Sequence, residues 1–215
     1  MSLMTDIASG AAAAPLDAFL DAALDLAAER GWRSVTAGEV SARSGIEARV
    51  LGGAGPFRAR LLARLMERVD RGMREGLDDE ARDPTLPVRD RLFEALMARL
   101  DVLARHRAGM VAVLRGVPLD PPTALAALPL LGRSMAHTLQ AIGESPWPPL
   151  GPLKVKGLSL VWLATLRAWI RDESPDMAAS MKALDLALAR AEEAANSILP
   201  GARRSAPPAA AAPEV

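Results

Sequence analysis

No segment of this chain alternates between apolar and polar residues, so nothing in it reads as a half-buried strand. Apolar residues instead recur three and four apart over long stretches. Half of the residues are hydrophobic, mostly Ala and Leu, which favour helix, while Val and Ile are sparse and Tyr is absent. An all-α fold of about nine helices follows.

Proline and glycine punctuate the helical pattern. Met1 to Ala14 is small and Ala-rich and reads as a flexible N-terminal tail, with Pro15 at the first position of a helix reaching Arg30. Leu16, Phe19, Leu20, Ala23, Leu24 and Ala27 share one face of it. Gly31 is placed to end it, and Trp32 to fold back onto it as a core residue. The next stretch, TAGEVSARSGIEARVLGGAGPF from Thr36 to Phe57, reads as two short helices around a turn at Ser44-Gly45. Thr36 and Glu39 have the spacing of a capping box. Ile46, Val50 and Leu51 supply the inner face of the second helix, the geometry that places a recognition helix in the major groove of DNA.

A long helix follows from Pro56 to about Leu77. Its outer face carries Arg58, Arg60, Arg64, Arg68 and Arg71. Between Arg30 and Arg71 nine arginines stand against four acidic residues, in a chain of zero formal net charge. That excess suits a phosphate-contacting face; the same residues also suit a solvated face with ion pairs such as Glu67–Arg71.

Asp78 to Pro84 is a charged hinge. Helices are expected from Pro87 through Leu103, from Gly109 to Arg115, and from Thr123 to Ile142, the last kinked or divided at Pro129. Four prolines between Gly143 and Pro152 make a rigid loop. The helix from Leu153 to Arg171 is apolar nearly all round, so one face should pack on the body and the other should need a partner. Ser174 and Pro175 start the last helix, which reaches about Ile198. Gly201 to Val215 is Ala/Pro-rich and reads as a disordered C-terminal tail.

There is no Cys, hence no disulfide framework and no thiolate metal site, and His106 and His137 are not spaced as a metal-ligand pair. No nucleophile motif, phosphate-binding loop or zinc-protease motif is present, so neither an enzyme nor a cofactor is expected. No apolar run is long enough to span a bilayer, and the N-terminus lacks the features of a signal peptide; a cytoplasmic location is expected.

The residues from Ala22 to Trp32 (AALDLAAERGW), followed by VSARSGI from Val40 to Ile46 and by Leu51, Phe57-Arg58 and Leu61-Leu62, resemble the N-terminal domain of TetR-type transcriptional regulators. The stretch WLATLRAW from Trp162 to Trp169, with DESPD from Asp172 to Asp176 and Leu184-Asp185, is similar to the C-terminal helix pair of that family. The resemblance implies a head over residues 15–56, a ligand-binding and dimerisation body over 57–200, and flanking tails over 1–14 and 201–215. It implies a homodimer that binds a DNA operator as a ligand-responsive repressor. DNA contacts would then come from Thr36, Arg43, Ala48, Arg49, Gly52 and Arg58. The last two helices would form a four-helix bundle across a two-fold axis through Trp162, Leu166, Trp169, Met181, Leu184 and Leu188. The body would hold a small apolar ligand, with Met97, Leu100, Met110, Leu114, Leu131, Met135 and His137 as candidate lining. The family usually has an aromatic at Gly52, a His at Ala54, a Phe at Gly55 and a Lys at Arg58. The run Gly52-Gly53-Ala54-Gly55 stands there instead. This departure fits an alternative within the same fold: a lipid-binding accessory protein of the ubiquinone-biosynthesis type that does not bind DNA.

Overall fold

The computed structural model describes residues 3–198, with side chains from 14 to 197. Eight α-helices account for the described chain: α1 Leu3–Arg30, α2 Ala37–Ser44, α3 Phe57–Gly76, α4 Val88–Ala104, α5 Arg107–Gly116, α6 Pro121–Ala141, α7 Gly151–Trp169 and α8 Ala178–Ile198. Short 3₁₀ turns lie at Trp32–Ser34, Ala48–Leu51, Asp79–Arg82 and Val117–Leu119. No strand occurs among the described residues. The expected tail at 201–215 lies outside them.

The largest departures from the sequence expectation are in α1, α6 and α8. Helix α1 begins at Leu3, so Pro15 lies inside it and does not start it. The Ala-rich segment before Pro15 has high helix propensity, and the ring forfeits only one backbone hydrogen bond. Helix α6 runs undivided through Pro129. Helix α8 begins at Ala178, because Pro175 and Asp176 form a turn; the Ser174 hydroxyl and the Asp176 carboxylate accept the Ala178 N–H.

One hydrophobic cluster runs from Phe19 and Leu20 in α1 through Leu96 and Leu100 in α4 to Leu184 and Leu188 in α8. Helix α1 packs chiefly on α5, α3 on α4 and α6, and α7 on α8. The α1–α5 approach requires glycine. A Cβ at Gly109 would lie 2.4 Å from the Leu24 carbonyl oxygen, and one at Gly116 would lie 2.3 Å from the Trp32 Cβ. Trp32 is 2 % exposed, folded under α5 as its position after Gly31 implies. Helix α1 is thus tied to the later helices over a helix–helix surface as well as through the α2–α3 connection. A smaller cluster of Met73, Leu77, Ala81, Ala95 and Ile142 seals the far end of α3.

Candidate functional site

Thr36 caps α2: its hydroxyl oxygen accepts the Glu39 N–H at 3.3 Å and donates to the Glu39 carboxylate at 3.2 Å. Gly45 follows in the left-handed conformation at φ 71°, with its N–H on the Ser41 carbonyl at 2.9 Å. That conformation is open to glycine at no steric cost. The Ser44 hydroxyl takes the Ile46 N–H at 3.1 Å and closes the turn. The first half of the helix-turn-helix therefore forms as its sequence specifies.

The second half does not reach helical length. In place of an α-helix there is a single 3₁₀ turn, Ala48–Leu51. Gly52, Gly53 and Gly55 all take positive φ, which stops helical propagation. Two arginines from α3 then cap the exposed carbonyls: Arg64 Nε donates to Leu51 O at 2.7 Å and Arg60 Nη1 to Gly52 O at 3.2 Å. Leu51 is buried and anchors the turn, while Val50 and Ala48 are half-buried. Phe57 meets Phe19 edge to face at 6.3 Å and fixes the entry to α3.

The expected DNA contacts divide by their partners. Arg43 forms a two-pronged pair with Glu29 at 2.6 and 2.7 Å. The Arg43 hydrogen bond holds the Glu29 carboxyl below its ordinary range, and the same bond raises Arg43. Arg58 donates to Asp120 Oδ2 at 2.7 Å and to the Arg33 carbonyl at 2.8 Å. Asp120 is buried at the start of α6 and also accepts from the Thr123 hydroxyl. Burial pushes the Asp120 carboxyl up, but the hydrogen bonds from Thr123 and Arg58 outweigh it and leave it below the usual range. Arg58 therefore ties the first turn of α3 to α6. Arg68 and Arg71 reach back to Asp21 and Asp17 of α1. Only Arg49 of the expected reading residues points outward with a weakly held charge: its side chain is 83 % exposed, 3.2 Å from the equally open Glu47. Arg33, which the sequence reading passed over, is exposed and has no acidic partner among the described residues.

The body holds a polar cluster that the sequence reading also missed. Arg99 is 1 % exposed and Asp70 4 %, and they meet at 2.5 Å. Arg99 also donates to Ser134 at 2.7 Å and to Thr138 at 3.2 Å, and its guanidinium lies 5.0 Å from the Trp162 ring centre. The Ser134 hydroxyl and His137 Nδ1 complete the shell of Asp70 at 2.5 and 3.1 Å. Desolvation lowers the Arg99 pKa against the opposing pull of Asp70. This cluster joins α3, which rises from the head, to α4, α6 and α7.

The residues expected to line a ligand chamber are mostly core. Leu100 and Met135 are fully buried, Met110 nearly so, and Met97 and Leu131 pack on the main cluster. His137 belongs to the Asp70 shell. Leu114 borders a solvent-open groove of about 490 Å³ between α5 and α7.

Of the expected dimer residues, Trp162, Leu166, Trp169, Leu184 and Leu188 are 8 % exposed or less and turn into the subunit's own core, while Met181 is half-buried. The exposed large apolar residues of this helix pair are Leu153, Leu160, Leu163 and Leu186, exposed by 47, 70, 49 and 48 %. The pair is stapled by Asp172 after α7, which accepts both the N–H and the hydroxyl of Ser180 and of Ser174. Burial raises its carboxyl, but those four donors override it and hold it far below the ordinary aspartate range. No group of metal-binding side chains and no helix fit to cross a membrane occurs among the described residues.

No protein-family model matches the sequence, and no curated protein matches it. The chain is similar in structure to the TetR transcriptional regulator from Nitrosomonas europaea ATCC 19718, whose crystal structure aligns with a TM-score of 0.62 at 22 % identity. The alignment covers 82 % of this chain and 97 % of that one. The fold is thus of TetR type, as the sequence resemblance implied.

Proposed function

We propose that this TetR-fold protein is a homodimeric, ligand-responsive transcriptional regulator of the cytoplasm, acting as a repressor. The observation that carries the reading is the head: a capped α2, a left-handed glycine turn and a short helical turn held against α1, with Arg49 and Arg33 both exposed. Arg49 has the reach and donor geometry for a guanine edge, and Arg33 suits a phosphate. Arg43 would exchange Glu29 for phosphate only at the cost of a solvent-screened surface ion pair.

Dimerisation supplies the second head. Leu153, Leu160 and Leu186 give the α7–α8 face an apolar outer surface, as a two-fold contact between copies requires. A ligand in the body would act through α3, whose two ends are tied to α6 by Arg58–Asp120 and by the Asp70 shell. Shifting those ties changes the separation of the heads, and with it the fit to successive major grooves.

Fluorescence anisotropy with duplexes from the protein's own upstream region tests this. Two outward arginines per protomer predict a salt slope of about −3 to −4 in log K against log salt, at about −0.9 per phosphate. Arg49→Ala should narrow the preference for that duplex over random DNA. A second reading, the lipid-binding accessory protein, is favoured by the shortened recognition turn and its glycine run. Absence of binding at low salt, with lipid co-purifying, would select it.

A further inference from the structure

We propose that the open groove between α5 and α7 is a binding site for a single-chain amphiphile with an anionic head, such as a free fatty acid. The inference deepens the ligand-responsive reading of the body and does not depend on DNA binding by the head. The groove's floor is apolar, built from Leu114, Leu163, Leu166 and Ile170. Its remaining lining is three arginines, Arg115, Arg167 and Arg171, with no acidic side chain among them. Its volume of about 490 Å³ falls within the range of small-molecule sites, about 300–1,000 Å³.

The three guanidinium groups have no structural task in the fold. None forms an ion pair or a side-chain hydrogen bond among the described residues. Arginines near helix C-termini commonly serve the last carbonyls, and Arg115, Arg167 and Arg171 all sit near such ends. That role at α7 is already filled: Arg107 donates to the Trp169 carbonyl at 2.7 Å and to the Asp172 carbonyl, and lies 4.4 Å from the Trp169 ring centre. The carboxylate following α7, Asp172, is likewise spent on Ser174 and Ser180. Positive charge therefore gathers around an apolar floor whose lining holds no acidic side chain. An acyl chain covers the floor, and a carboxylate accepts from two of the arginines in the fork geometry that guanidinium favours. A neutral or cationic amphiphile gains only the floor.

Calorimetric titration of the full chain with dodecanoate, held below its micelle concentration, tests the assignment. Dodecanoate should bind at least tenfold more tightly than 1-dodecanol or dodecyltrimethylammonium. Arg167→Glu/Arg171→Glu should weaken it tenfold or more with the thermal midpoint unchanged, since both side chains are solvent-facing. Arg133→Glu, an exposed arginine of α6 away from the groove, should leave it unaltered. Equal binding of dodecanol, equal loss in the Arg133 variant, an unaffected double variant, or retention on anionic phosphatidylglycerol vesicles without dodecanoate binding would overturn the proposal. DNA anisotropy on the same samples reads the head separately, so failure of either assignment is distinguishable from failure of the other.

Discussion

Replacing one partner of the Asp70–Arg99 pair should cost far more than replacing both. Each side chain is almost wholly buried, and they meet at 2.5 Å. Arg99→Met keeps most of the side-chain volume but leaves the Asp70 carboxylate facing Ser134 and His137 alone. Asp70→Leu strands the guanidinium between Ser134, Thr138 and the Trp162 ring. A buried charge stripped of its counter-ion costs about 3–5 kcal/mol, whereas an apolar pair of similar volume is neutral to stabilising by about 1–4 kcal/mol. In a chain of this size 1 kcal/mol moves the thermal midpoint by about 2–4 °C, so each single variant should fall by about 6–20 °C. The double variant Asp70→Leu/Arg99→Met should unfold near the parent. Urea unfolding followed by circular dichroism, at one fixed protein concentration, gives the full cycle. A single variant within about 1 kcal/mol of the parent, or a double variant as unstable as the sum of the singles, would refute the buried-charge argument.

Three further outcomes follow from the geometry. Asp172→Asn should destabilise the protein by about 2–3 kcal/mol at neutral pH, because buried donors of Ser174 and Ser180 lose a charged acceptor. The folded Asp172 carboxyl titrates below an unfolded aspartate, so its stabilisation is complete above about pH 5 and fades as the medium becomes more acid; the variant's pH–stability curve should be flatter on that limb, and parallel curves would contradict the assignment. Gly109→Ala should cost about 1–3 kcal/mol by forcing α5 from the Leu24 backbone, while Gly132→Ala, with open space at its Cβ, should gain about 0.5–1 kcal/mol; chemical denaturation separates the two. Leu160→Glu/Leu186→Glu should shift sedimentation toward the monomer without lowering helicity, and an unchanged sedimentation coefficient would move the self-association surface elsewhere.

Local chemistry was legible wherever one segment fixes its own shape. Thr36 with Glu39, and Ser44 with Gly45, specify a cap and a turn with no help from the rest of the chain, and both formed. The helix apolar on every side also split as its pattern required, with Trp162 and Trp169 inward and Leu160 and Leu163 outward. The sequence reading nevertheless assigned the inward set to the dimer contact, because periodicity shows that two faces exist but not which one the subunit keeps. The run Gly52-Gly53-Ala54-Gly55 was visible, but its consequence depends on Arg60 and Arg64 arriving from the next helix to cap the freed carbonyls. The buried pair did leave a trace: Leu92, Leu96, Arg99 and Leu103 follow core spacing, as do Met66, Asp70, Met73 and Leu77. A charge at a core position on each of two adjacent helices is a readable sign of an ion pair. The reverse holds for Arg58, whose partner Asp120 lies 62 residues away and cannot be inferred from either neighbourhood. Gly109 and Gly116 read as helix ends, yet their task is to admit α1 and Trp32, a property of the pair of helices and not of one.

Sedimentation velocity of the full chain mixed with its own upstream duplex at low salt reaches the core of the account in one measurement. Two protomers should travel with each duplex, and raising the salt should release DNA before the protein dimer separates. A monomer that leaves the duplex behind at low salt would contradict both halves of the proposal, the paired α7–α8 surfaces and the outward arginines of the head.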